Sequence, residues 1–219
     1  MSKRSIFYYR IYYKRYLPHI QPKNSVLFIT YCLDFKYPKW LYYELKRRKQ
    51  VFEKSINNIR EKEKRIRIYD FNKKQFDYFD NFIIRYKESP DWLKNSKIAE
   101  KVIDNLFFWH TKRYDLICYC IMSNHVHILI KPLLKNPDTP FSITEIMKSH
   151  KSYTGKESNK ILERKGAFWH CGFYDHYIRD NKEFFNVIWY ILHNPVKGGL
   201  IENYKDWKYS WVDKEALQL

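Results

Sequence analysis

Residues 26–32, VLFITYC, are β-branched and aromatic without interruption, which predicts a buried strand. From about Trp40 to Arg67 charged residues dominate and apolar positions recur between them, the pattern of an exposed helix. Further helical pattern covers about Lys74 to Tyr86 and Lys97 to Thr111, with Pro90 as the break between them. Tyr114 to Met122 reads as a strand, Ser123-Asn124 as a tight turn, and His125 to Lys131 as its hairpin partner. Pro132, Pro137 and Pro140 mark a loop. A helix opens at Ser142, with Glu145 at capping-box spacing and Ile143, Ile146, Met147 and Tyr153 at helical intervals. Gly166 closes that region, and GAFWHCGFYDHYIRD follows as an aromatic connector. A last helix starts at Asp180, with Glu183 three residues on, and runs to Asn194, where Pro195 and Gly198-Gly199 stop it. The order strand, helices, hairpin, helix, helix argues for an α+β fold with an antiparallel sheet.

Composition narrows the class. At 219 residues the chain has room for one large domain, or one with an inserted subdomain. Hydrophobic residues make up 45% and aromatics 19%, enough for a globular core. No apolar run approaches the length of a membrane span, and the start, MSKRSIFYYRIYYKRY, has no signal-peptide pattern, so a cytoplasmic, nucleoid-associated bacterial protein is expected. The four cysteines form no CxxC pair and read as reduced thiols. Charge is more telling. Lys and Arg number 41 against 24 acids, a formal +17, and residues 1–24 form a basic and aromatic arm. Such a field attracts a polyanion, nucleic acid before membrane.

The sharpest local chemistry is SNHVHILIKP. Residues two apart on a strand share a face, so His125 and His127 project side by side while Val126, Ile128 and Ile130 point the other way. Two parallel imidazoles make a half-site for a divalent metal, although the same spacing also fits two packed histidines. On the last helix Phe184, Phe185, Ile188, Ile191 and Leu192 form an apolar stripe. Tyr190 falls on a flank beside Glu183 and Asn194, and Asn194 is its i+4 neighbour. An amide oxygen beside a phenol could complete a metal site and present a nucleophile. It also fits a surface tyrosine with Asn194 ending the helix.

Taken together, IMSNHVHILI, FWHCGFYDHYIRD and YILHNPVKGGLI resemble the REP-associated tyrosine transposases and their insertion-sequence relatives, over roughly residues 24–33 and 112–212. The resemblance implies a ferredoxin-like antiparallel sheet with helices on one face. Within it, His125-Val126-His127 is the HUH motif, Tyr190 the nucleophile, and Asn194 a further metal ligand. Residues of about 40–100 exceed the compact family core and read as a helical insertion within a single domain covering the chain. Tyr174 and Tyr177 lie near the motifs and read as packing or DNA-contact residues.

The resemblance implies metal-dependent nicking and strand transfer on single-stranded or hairpin DNA, by a monomer or homodimer. Phenolate, with a pKa near 10, leaves phosphorus readily, so a 5′-phosphotyrosine can be reversed onto a new 3′-hydroxyl without ATP. The ion would be Mg²⁺ or Mn²⁺, acting as Lewis acid and template, and imidazole and amide ligands favour Mn²⁺. Lys148, Lys151, Lys156, Arg179 and Lys197 are candidates for a phosphate path, and Trp169 and Phe173 for stacking on splayed bases. His176 and His193 are the candidate general bases. Two rival readings share the pattern: an inactive or domesticated DNA- or RNA-binding protein of the same fold, and a metal-dependent hydrolase. The second needs a carboxylate near the histidines, and Asp115 is the nearest acid in sequence.

Overall fold

The computed structural model describes residues 10–11, 19–57 and 59–218, so most of the expected basic arm lies outside them. In chain order the principal elements are β1 (Leu27–Cys32), α1 (Lys39–Ser55), α2 (Glu61–Arg85), α3 (Ser96–Trp109), β2 (Tyr114–Ile121) and β3 (His125–Pro132). They continue with α4 (Ile143–Ile161), β4 (Tyr174–Tyr177), α5 (Asn181–Lys197) and β5 (Ser210–Val212). Two short ribbons pair Arg10–Ile11 with His19–Ile20, and Leu134–Asn136 with Thr139–Pro140. The chain divides into two compact units, residues 35–89 and the remainder.

The larger unit is built on one sheet of order β4-β1-β3-β2-β5, antiparallel at every pairing. Its first four strands and the helices α3 and α4 give the ferredoxin-like order. Strand parity divides the side chains between two faces. One face carries Leu27, Ile29 and Tyr31 of β1 opposite Ile130, Ile128 and Val126 of β3. These join Ile98, Val102 and Leu106 of α3 and Ile143, Ile146 and Met147 of α4 in the hydrophobic core. A bulge between Leu116 and Cys118 flips the alternation of β2. As a result Leu116, Tyr119 and Ile121 all reach that core. The other face carries Phe28 and Thr30 of β1 and His127 and His125 of β3, and α5 lies across it through Tyr190. The expectation of helices on one face therefore holds for α3 and α4, with α5 on the opposite side.

Helix ends follow local chemistry. The Ser142 side chain accepts from the Glu145 N–H at 3.3 Å, and Asp180 from the Glu183 N–H at 2.8 Å. Contrary to the expected stop, Pro195 lies inside α5. A proline this near the C-terminus removes only one intrahelical donor. The true stop is a Schellman motif with Gly199 at φ 65°, where Leu200 N–H donates to Pro195 O and Gly199 N–H to Val196 O, both at 2.9 Å. The aromatic connector contains β4, which the sequence pattern hid because four residues give too little alternation to read.

The expected apolar stripe of α5 is also rotated. Its buried positions are Glu183, Val187, Ile188, Ile191, Asn194 and Pro195, whereas Phe185 is exposed. A hydrophobic pattern misplaces the inward face when that face holds polar groups.

In the smaller unit α1 and α2 fold back on each other. Phe52 stacks on Phe71 with centroids 4.0 Å apart, Gln75 donates to Leu45 O at 3.3 Å, and the Arg48 guanidinium covers the Tyr78 ring. This unit occupies much of the stretch read as an insertion, but α3 belongs to the core of the larger unit.

Candidate functional site

The site grows from the pairing of β1 with β3. Thr30 lies opposite His127, and the two are joined by a hydrogen bond between Thr30 Oγ1 and His127 Nδ1 of 2.7 Å. His125, two residues earlier, donates its Nδ1–H to Asn124 Oδ1 at 2.6 Å. Both imidazoles are fully buried, and their Nε2 atoms meet 3.0 Å apart. With Nδ1 of each ring held by a neighbour, the two rings turn their Nε2 atoms toward each other. Fixing a ring through its second nitrogen is how proteins orient metal-ligating histidines. Thr30 and Asn124 were not singled out in the sequence. The one available signal was a hydroxyl inside an otherwise apolar strand.

α5 completes the arrangement. The Tyr190 ring lies 5.6 Å from His127 and 5.9 Å from Phe28 between centroids, and Phe28 stacks on His127 at 5.7 Å. Asn194, fully buried, donates its Nδ2–H to Tyr190 O at 3.3 Å. Its side chain also acts on His127, favouring the protonated ring, yet Oδ1 completes no hydrogen bond of normal geometry. A buried amide oxygen without a donor is costly, so a bound cation there would have a physical reason. Burial first, and the Lys197 charge second, hold His127 down to about 3. A neutral imidazole keeps its lone pair for an ion. The Lys197 ammonium also sits 5.0 Å from the centre of the Tyr190 ring.

The other sequence candidates divide. Lys197 is at the site. Lys148 and Lys156 are exposed on α4, and Lys151 is half-buried there. All three are therefore on the helix that packs across the sheet from Tyr190, not along a path beside it. Lys151 donates to the carbonyls of His170 and Gly172, which ties down the connector, and burial lowers it to about 8. Trp169, read as a base-stacking residue, is a core residue: only 6% exposed, it rests edge-on to Tyr31 and donates to Thr154 Oγ1 at 2.9 Å. Gly155 of α4 allows this approach, since a Cβ there would meet the indole at 3.3 Å. Phe173 packs against the same core.

Arg179 N–H and His176 Nε2 both engage the buried Glu183 carboxylate, at 3.0 and 3.2 Å. His193 donates to Trp189 O on the outer side of α5. Tyr174 is buried, edge-on to Phe28, and Tyr177 packs against the core. Asp115 pairs opposite Lys131, at the far end of β3 from the histidines. All four cysteines are reduced.

A family model described as "Transposase IS200 like" matches residues 74–194, more than half of the chain and inclusive of every residue from His125 to Asn194. The chain belongs to the IS200-like transposase family. A Haemophilus influenzae protein named as a REP-associated tyrosine transposase is 30% identical over 108 residues, which cover 47% of this chain and 61% of that relative. A solved structure, the REP-associated tyrosine transposase bound to a REP hairpin, is 17% identical with a TM-score of 0.48, covering 91% of this chain and 80% of the other. Among the described residues of this family member, no helix is long and apolar enough to cross a membrane.

Proposed function

We propose that the chain nicks and rejoins single-stranded DNA beside a hairpin, with Tyr190 as nucleophile. The observation that carries this reading is the meeting of His125 Nε2 and His127 Nε2, with the Asn194 side chain acting on His127 and Tyr190 packed edge-on to it. Family membership supports the reaction class, and the name of the Haemophilus influenzae relative supports REP DNA as the target.

His125, His127 and Asn194 would hold a divalent ion, Mg²⁺ or Mn²⁺. Bound there, it would polarise a non-bridging phosphate oxygen. The chain's own residues do the rest. Tyr190 Oη attacks phosphorus and gives up its proton to solvent, and the P–O3′ bond breaks. The departing oxygen takes a proton to become a 3′-hydroxyl, while the 5′-phosphate stays on the tyrosine. A second 3′-hydroxyl reverses the step and restores the phenol, so one phosphodiester replaces another with no external energy source. Lys197 places positive charge where negative charge develops on the phenol oxygen and the phosphate.

Denaturing-gel analysis with labelled hairpin DNA tests the assignment. Tyr190→Phe is expected to abolish the covalent adduct while hairpin binding stays nearly intact. An adduct that persists in Tyr190→Phe and vanishes in Tyr174→Phe would move the nucleophile to the connector.

A further inference from the structure

The outer side of α5 carries an aromatic cluster that neither the proposed metal site nor the core uses. Trp189 is 59% exposed, although it directly precedes the proposed nucleophile. One turn on, the His193 ring lies 3.5 Å from it at an interplanar angle of 30°, and Tyr204 lies 4.2 Å from His193 at 37° and 5.7 Å from Trp189 at 59°, so the three rings form a tilted cluster. The His193 Nδ1–H donates to Trp189 O, which fixes its ring in that position. Exposed Phe185 lies one turn before Trp189 on the same side, and Lys197 one turn after His193. An indole backed by two rings and left open to solvent has surrendered its rotational freedom without gaining burial.

We infer that Trp189, backed by His193 and Tyr204, is a stacking platform for an unpaired nucleobase next to the phosphate attacked by Tyr190. The inference rests on the proposed strand-transfer reading and adds to it a recognition element. Three considerations favour a base over another occupant. The exposed indole, held by its two neighbouring rings, offers a flat aromatic face, which suits any base because every base has a π-face. The patch adjoins Lys197 on a chain of formal charge +17, so a polyanion's backbone finds its counter-charge there. Trp189 and Tyr190 are consecutive on one helix, about 100° apart around its axis, so a strand reaching the nucleophile passes the indole.

The test uses the full chain and two hairpins of the same stem, one blunt and one with single-stranded tails carrying 2-aminopurine. Trp189→Ala is expected to weaken the tailed hairpin by roughly five- to 150-fold, and to leave the blunt one within about twofold. The quenching of 2-aminopurine on binding should vanish with Ala and largely survive in Trp189→Phe. Undiminished affinity and quenching in Trp189→Ala would overturn the platform while leaving the strand-transfer reading standing. So would equal weakening of both hairpins. A wild-type dimer that Trp189→Ala converts to monomer in sedimentation, with tail binding unchanged, would give the face to a second copy of the chain. Failure of the unmodified chain to bind either hairpin would overturn the platform and the strand-transfer reading together.

Discussion

His127 and His150 are buried to the same extent, on opposite sides of one sheet, and burial drives both down to about 3. Their ring nitrogens meet different company. His150 Nε2 accepts from the Tyr31 hydroxyl at 2.6 Å, and its Nδ1–H donates to Asn105 Oδ1 at 2.7 Å. Burial holds the Tyr31 phenol well above its usual range, so it remains the donor and the tautomer is settled. Every polar atom of that ring is matched by a partner of the opposite kind. His127 has a hydroxyl on Nδ1, but on Nε2 it faces another imidazole nitrogen, with an amide oxygen close by that lacks a donor. In the proposed site the two Nε2 atoms, 3.0 Å apart, and the Asn194 amide oxygen supply donor atoms of the kinds a divalent cation takes. Burial and acidity therefore do not separate a structural histidine from a ligand. What differs between these two rings is the set of atoms that faces each of them.

The widest separation between the two should come from truncation. His127→Ala or His125→Ala is expected to abolish metal-dependent cleavage with little loss of fold. His150→Ala should cost about 2–4 kcal/mol of stability, because it strands the Tyr31 hydroxyl and the Asn105 amide, yet cleavage per folded molecule should hold. Urea titration beside a gel cleavage assay separates the two. Cleavage lost in His150→Ala at full foldedness would erase the distinction.

A smaller effect is expected at Thr30. For both Nε2 lone pairs to be free, His127 must carry its proton on Nδ1, and Thr30 Oγ1 must accept it. Thr30→Val should therefore weaken Mn²⁺ binding by about ten- to a hundredfold while keeping the fold. Calorimetric titration with Mn²⁺ reads this directly, and unchanged affinity would mean that Thr30 does not set the tautomer.

The smallest effect is a slope. Below pH 6.5 an unfolded chain protonates His150, whereas the folded one resists until about pH 3. This stabilising contribution is complete above pH 6.5 and is lost progressively as pH falls toward 3. Across that window the wild type should lose up to about 1.4 kcal/mol more per pH unit than His150→Ala. Parallel stability curves from pH 4 to 7 would show that His150 takes up protons in the folded state.

Much of the site was legible in the sequence because its parts are local. His-x-His on a strand fixes a shared face, and Tyr190 with Asn194 one turn apart fixes adjacency, whatever the rest of the chain does. Ser142 and Asp180 likewise announced their helices through side chains that accept from backbone three residues away. The segments most open to misreading were those where apolar character and burial part company. Trp169 and Phe173 looked available for bases because a connector rich in aromatics resembles a binding loop, yet both pack against the core.

By itself, then, the sequence determined the hairpin, the capped helices, the shared strand face of His125 and His127 and the family, all encoded at short range. Tertiary structure alone decided what each part faces. Thr30 meets His127 across 97 residues, the bulge at β2 switches parity, and α5 turns Glu183 and Asn194 inward in place of Phe185. The same packing sent the α4 lysines to the side away from Tyr190. The physical reason is that periodicity states which residues share a face but not what covers it. That choice is made by strand pairing and by whether a buried polar atom finds a partner once the chain has closed.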